Sequence, residues 1–225
     1  MEKPGFKEAS RQQTSLLSGL EKKTLLWLAA RMPAAVNSDH LTLIGLLSTV
    51  GAGLSYWYAR YQPVAGLLLV CAFLVINWFG DSLDGTLARY RNKQRPRYGF
   101  YVDHIVDAFG TSFLLGGLAL SSYMSVTIAL PLLVIYLILS IESYLTTYTM
   151  GKFQISYYKF SPTELRILLC IGNLYLIYDP YGEILGRRVL VFDAGGLLGI
   201  AGMSLMLVVT VIRHTIELYK AEPLP

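Results

Sequence analysis

Charge is what this sequence has least of. Only 15% of its 225 residues are Asp, Glu, Lys or Arg, against about 25% in a typical soluble domain. With 54% hydrophobic residues and a mean hydropathy of +0.47, the chain has too little polar surface for a water-soluble fold of this length. Cysteine is nearly absent as well. Cys71 and Cys170 each stand in an apolar run, which excludes a disulfide framework or a thiolate metal cage and leaves two small hydrophobes. No basic start, unbroken apolar stretch and small-residue cleavage site follow one another in the first forty residues, so no signal peptide is expected. Repeats and low-complexity segments are also lacking. The formal net charge of +4 does not indicate a nucleic-acid partner, because the basic residues lie between apolar runs rather than along one soluble face.

What is present is apolar length. Runs approaching or exceeding the about 20 residues that cross a bilayer lie near 41–60, 64–90, 98–123, 125–149, 161–178 and 194–217. They predict an all-α membrane protein with six transmembrane helices. Pro162, following Ser161, marks the start of the fifth and shortest. Upstream, Leu16, Leu17, Leu20, Leu25, Leu26 and Leu28 alternate with Glu21, Lys22 and Lys23. That pattern predicts an amphipathic helix over Ser15 to Arg31 that lies in the interface without crossing. The chain therefore divides into an N-terminal segment over 1–40, a transmembrane domain over 41–218 and a tail over 219–225.

Orientation follows from the basic residues, since Lys and Arg collect in cytoplasmic loops. With the N-terminus inside, only Arg60, Arg187 and Arg188 of the 19 Lys and Arg fall outside. Both termini and the loop after the second span are expected to face the cytoplasm. Tyr56, Trp57 and Tyr58 read as an interfacial aromatic belt.

Around that loop stand acids that an apolar helix does not tolerate alone. Asp81 and Asp84 are three residues apart, and Asp103 and Asp107 four apart, so each pair projects from one face of its helix. An Asp near the middle of a span costs about 2.5–3.5 kcal/mol, and four together call for positive charge between them. The short basic loop 90–98 makes the two helices antiparallel neighbours, which brings both pairs to one cavity at the cytoplasmic end. An all-oxygen donor set without Cys or paired His suits Mg²⁺, Mn²⁺ or Ca²⁺. Two such ions would clamp both oxygens of a phosphoryl displacement, so phosphate chemistry is the expected use. Gly85, Ala88 and Gly99 remove bulk beside the acids, either for a nucleotide or for ordinary helix packing. Arg89, one turn beyond Gly85, is placed either to hold a phosphate oxygen or to serve as a cytoplasmic flank residue, as Arg91 and Arg95 do.

These residues spell D-x-x-D-G-x-x-A-R over Asp81 to Arg89 and, after nine intervening residues, G-x-x-x-D-x-x-x-D over Gly99 to Asp107. The pattern resembles the signature of the CDP-alcohol phosphotransferase (phosphatidyltransferase) family, with every fixed position filled. The resemblance implies a homodimer in the bilayer, with one site per protomer. It implies Asp81, Asp84 and Asp103 as metal ligands, and Asp107 as general base and further ligand. The CDP group would be bordered by Asp81, Gly85, Ala88, Arg89 and Gly99, with Asn37 as an added polar contact. The implied reaction is attack by an acceptor hydroxyl on the phosphate of a CDP-linked donor, with release of CMP and a dependence on Mg²⁺ or Mn²⁺. No fused cytidylyltransferase domain is expected, since all the soluble segments are short.

The run Gly85-Thr86-Leu87-Ala88-Arg89 resembles bacterial members that use CDP-diacylglycerol. Asp103-His104 with Ser-Pro-Thr-Glu at 161–164 resembles choline and ethanolamine phosphotransferases, so both donors stay open, with CDP-diacylglycerol preferred. His104, Glu142 and Arg166 are candidate acceptor contacts, against a structural pairing for Glu142 and Arg166. Two other classes compete. A cation transporter would need polar groups through the full membrane depth, whereas the outer halves of the second and third spans are almost wholly apolar. An intramembrane aspartyl protease needs two acids sharing a proton, and four acids with a basic loop and Arg89 suit phosphate better.

Overall fold

The computed structural model describes residues 18–150, 162–184 and 186–222. Ser15, Leu16 and Leu17 at the expected helix start, Ser161 before the fifth span, and 223–225 of the tail lie outside them. So do Lys3, Lys7, Arg11, Lys152 and Lys159 among the basic residues.

Helices dominate: α1 (Ser18–Arg31), α2 (Ser38–Ala59), α3 (Pro63–Tyr90), α4 (Pro96–Leu120), α5 (Val126–Met150), α6 (Pro162–Leu176) and α7 (Val191–Ala221). A small hairpin, β1 (Tyr181–Ile184) and β2 (Arg187–Leu190), joins α6 to α7. Proline sets several starts, since Pro63, Pro96 and Pro162 each open a helix where a backbone N–H has no partner to lose. Asn37 starts α2 by accepting from the His40 N–H at 3.0 Å, while the His40 ring accepts from the Asn37 N–H. α3 ends in a Schellman turn. Asn92 takes φ 53°, and the Lys93 and Asn92 N–H groups reach back to the carbonyls of Ala88 and Arg89.

The short connections 60–62, 91–95 and 121–125 make consecutive helices antiparallel neighbours. α2 to α7 close into a cycle in which α2 touches α3, α3 touches α6, then α7, α5 and α4 follow, and α4 returns to α2. Small residues let the backbones approach. A Cβ on Gly80 would fall 2.6 Å from the Gly45 nitrogen and the Leu41 carbonyl, and one on Gly117 would fall 1.9 Å from the Gly53 carbonyl. One core cluster gathers Ala59, Leu67, Leu118, Tyr123, Met124, Leu176 and Phe192 at the end of the hairpin. A second joins Leu25 and Ala29 of α1 to Leu41, Leu83 and Leu87 at the opposite end.

At that opposite end, two basic residues of the loop between α3 and α4 have defined partners. The Arg91 guanidinium donates to the carbonyls of Val36, Met32 (2.8 Å) and Pro33 (2.9 Å), closing the linker between α1 and α2. Arg95 pairs with Asp39, whose carboxylate holds the guanidinium above its usual value.

By length and composition α2, α3, α5 and α7 suffice to cross a membrane. Of the other two expected spans, α4 is 25 residues long but carries Arg97, Asp103, His104 and Asp107, and α6 has 15 residues. The hairpin was not expected. Its strands of four residues are too short to give a period-two signal, and Gly186 turns the chain at φ +75°.

Candidate active site

Asp81 and Asp84 stand on α3, and Asp103 and Asp107 on α4, with α2 packed against both helices. Asp84 lies within electrostatic reach of Asp81 and Asp103. Asp107 lies within reach of Asp81, Asp103 and Asp84 and of the Arg166 guanidinium. The two acid pairs therefore face one another, as the helical spacing demands. Asp107 stands about three turns into α4 and keeps exposed surface.

Each acid is held. Thr42 of α2 donates its hydroxyl to Asp84 Oδ2 at 2.6 Å, and the Gly85 N–H reaches Oδ1 at 2.5 Å. Arg166 of α6 donates from Nη2 to Asp81 Oδ2 at 2.5 Å and from Nε to Asn77 Oδ1 at 2.7 Å. Asn77 is itself fixed, its amide donating to Thr49 Oγ1 (2.8 Å) and the Gly45 carbonyl (3.0 Å). Arg166 Nη1 is buried and has no hydrogen-bond partner among the described residues.

The two glycines of the motif, Gly85 and Gly99, have different surroundings. A Cβ on Gly85 would stand 3.3 Å from Arg89 Nη1, so the Arg89 guanidinium lies back over Gly85 and also donates to Thr86 Oγ1 at 3.3 Å. Gly99 is exposed, and a Cβ there would meet nothing within 4 Å. Ala88 is half-buried on α3, one residue before Arg89. Asn37, expected as a polar contact, serves as the α2 cap.

The other candidates separate. His104 stays beside the acids: its Nδ1 lies 2.6 Å from the Phe100 carbonyl, which makes Nδ1 the donor, and 3.9 Å from Asp103. Its ring packs against both Phe100 (4.1 Å) and Tyr144 (4.7 Å). Glu142 turns the other way. Its Oε1 lies 2.6 Å from His214 Nδ1 on α7 and accepts from Thr146 at 3.0 Å, forming a buried structural cluster between α5 and α7.

Sequence reasoning missed several side chains. Thr42 and the Arg166–Asp81 contact join residues far apart in the chain, where spacing carries no signal. Tyr136 and Tyr144 of α5 lie within electrostatic reach of Asp107, with Ser140 within hydrogen-bonding reach of both. The step of four residues from Tyr136 to Ser140 and again to Tyr144, on a helix full of Leu and Ile, was the available sign. Asn77, four residues before Asp81 on the same face, was another.

Among the described residues no three His, Cys, Asp or Glu side chains close on a single point as a metal cage would. The donor set itself nevertheless fits a hard divalent cation: four carboxylates within one another's field, no thiolate, and a guanidinium already on one of them. In this arrangement Arg166 supplies the positive charge at Asp81.

Residues 36–212 match the family model described as CDP-alcohol phosphatidyltransferase. A stretch of 86 residues, 38% of this chain, is 36% identical to archaetidylinositol phosphate synthase from Pyrococcus horikoshii, and spans 42% of that relative's length. A solved structure of Mycobacterium tuberculosis phosphatidylinositol phosphate synthase with CDP-DAG bound superposes with a TM-score of 0.56. That match covers 89% of this chain and 94% of the other, at 16% identity, and so supports a shared fold.

Proposed function

Because the chain belongs to the CDP-alcohol phosphatidyltransferase family, we propose that it is a membrane-integral transferase of substituted phosphate groups whose site is the carboxylate cluster between α3 and α4. The observation that carries this reading is the mutual facing of Asp81 and Asp84 with Asp103 and Asp107, beside an Arg on the same surface. The preferred donor is CDP-diacylglycerol, in keeping with the ligand of the solved relative. Both relatives' names point to an inositol phosphate as acceptor.

In the proposed reaction the acceptor hydroxyl oxygen forms a bond to the donor phosphorus next to the lipid, and the bond to CMP breaks. CMP leaves with the electron pair. Asp107, exposed on α4, takes the hydroxyl proton. Asp81, Asp84, Asp103 and Asp107 would hold one or two divalent ions, Mg²⁺ or Mn²⁺, which when bound stabilise charge on the phosphates. Thr42 and the Gly85 N–H keep the Asp84 carboxylate from rotating. Arg89, lying over Gly85, holds a donor phosphate, with Ala88 and Gly99 leaving room for the nucleotide. Arg166 fixes Asp81, and its buried Nη1 is a donor for an acceptor phosphate. His104 lines the acceptor side. Glu142, occupied by His214 and Thr146, would act there only by holding α5.

The same reading places α4 and α6 in the bilayer with the four apolar helices, α1 in the cytoplasmic interface, both termini and the site on the cytoplasmic side, and two protomers in a homodimer. Reconstituted protein supplies the test. CMP release is measured for CDP-diacylglycerol with inositol phosphate, inositol, glycerol phosphate or serine, and for CDP-choline or CDP-ethanolamine with diacylglycerol. Release that depends on CDP-diacylglycerol and inositol phosphate is expected. Absence of CMP release from every pair, in the presence of Mg²⁺ or Mn²⁺, would overturn the reading, and release only from CDP-choline or CDP-ethanolamine would reverse the donor.

A further inference from the structure

One carboxylate of the N-terminal helix lies on the face that docks into the protein. Glu21, Leu25, Leu28 and Ala29 share that side of α1, while Lys22, Lys23, Leu26 and Trp27 are exposed. An acid among apolar contacts needs a partner, and Glu21 has two. Its Oε1 accepts from Trp78 Nε1 of α3 at 3.0 Å and from Thr163 Oγ1 of α6 at 2.6 Å. Thr163 is the second residue of α6, so the carboxylate also meets the positive end of that helix. Arg166 follows three residues later on the neighbouring turn and holds Asp81 and Asn77 of α3. Trp78 and Asn77 are adjacent. Two staples thus bind α6 to the same stretch of α3, one supplied by α1 and one by Arg166.

We propose that Glu21 is a positioning residue: by fixing the first turn of α6 against α3 it sets Arg166 over Asp81, and so links the docking of α1 to the carboxylate site. The functional half of this inference rests on the reading of that site given above. Glu21 touches none of the reacting groups. A shift of about 1 Å in a positioning group costs up to about a hundredfold in rate, so a loosened α6 would be felt at Arg166 first. The Arg166 side is assigned to the acceptor, and the Arg89 side to the donor. Loss of Glu21 is therefore expected to act unequally on the two substrates.

The test uses the full chain in nanodiscs, with CDP-diacylglycerol and inositol phosphate as substrates and hydrogen exchange over 162–168 as a second readout. Glu21→Ala should raise the acceptor KM about tenfold, leave the donor KM within about twofold, and speed exchange in the first turns of α6. Glu21→Gln keeps an oxygen that accepts from both Trp78 and Thr163, and should restore the acceptor KM to within about threefold of the parent. Thr163→Val should reproduce the Glu21→Ala pattern and Thr163→Ser should not. Equal rises in both KM values, no rescue by Gln, or unchanged exchange over 162–168 would overturn the proposal. If the parent chain releases no CMP at all, the reading of the site fails, and the exchange measurement alone decides whether Glu21 orders α6.

Discussion

At the scale of the residue, Asp107 and Asp84 sit in one cluster but in different company, and substitution should separate them. Thr42 and the Gly85 N–H grip both oxygens of Asp84, as suits a carboxylate held for a ligand. Asp107 is exposed, within electrostatic reach of Tyr136 and Tyr144 of α5. Asp107→Asn removes the proposed base with little change of shape, so turnover should fall by at least about a thousandfold while CDP-diacylglycerol binding stays measurable by calorimetry. Near-normal turnover would refute the assignment. Asp84→Asn should instead move the Mg²⁺ or Mn²⁺ activation curve to higher concentration, as should Asp81→Asn, and curves superposing on the parent's would count against both as ligands. The four acids were legible in the sequence because carboxylates in apolar helices demand an explanation. Arg166 at Asp81 was not, since a contact over 85 residues depends on how α6 lies against α3, which local spacing does not encode.

At the scale of the element, helix contacts turn on a few positions where backbones nearly touch. Gly116 and Gly117 of α4 make a matched pair. A methyl on Gly117 would run into the Gly53 carbonyl of α2, whereas one on Gly116 meets nothing within 4 Å. Gly117→Ala should therefore destabilise the protein by about 3 kcal/mol, and Gly116→Ala should stay within about 0.5 kcal/mol of the parent. Thermal unfolding in one detergent compares them, and equal melting temperatures would show that the α2–α4 contact is not close-packed. Element limits were readable where chemistry marks them: Pro63, Pro96 and Pro162 open α3, α4 and α6 within two residues of the expected spans. They were unreadable at the hairpin. Tyr181–Ile184 and Arg187–Leu190 form a ladder only because the ends of α6 and α7 bring them together, and Asp179 then secures Arg188 at 3.2 Å.

At the scale of the whole molecule, the two ends of the bundle bear on how many helices cross. Composition alone passes four, and rejects α4 for its charges and α6 for its length. Packing argues differently. α4 starts at the end where Arg95 meets Asp39, and finishes at the other end, where Leu118 joins Ala59, Leu67, Tyr123 and Phe192 in one core cluster. Its 25 residues fall between the 22 of α2 and the 28 of α3, and Asp107 lies in the field of the α3 acids and of Tyr136 and Tyr144 on α5. α6 likewise reaches from Glu21 of α1 to that cluster through Leu176. On the proposed six crossings, the loop with Arg91, Lys93 and Arg95 would lie on one side and the hairpin with Arg187 and Arg188 on the other, and the basic bias would make the first side cytoplasmic. In a variant with Cys71 and Cys170 replaced by Ala, a membrane-impermeant thiol reagent applied to intact cells should label Gly186→Cys. It should label Gln94→Cys only after the membrane is opened. Labelling of both from outside, or of Gln94→Cys alone, would mean that α4 does not cross or that the bundle is inverted, and would place the carboxylates away from the cytoplasmic pool of nucleotide donors.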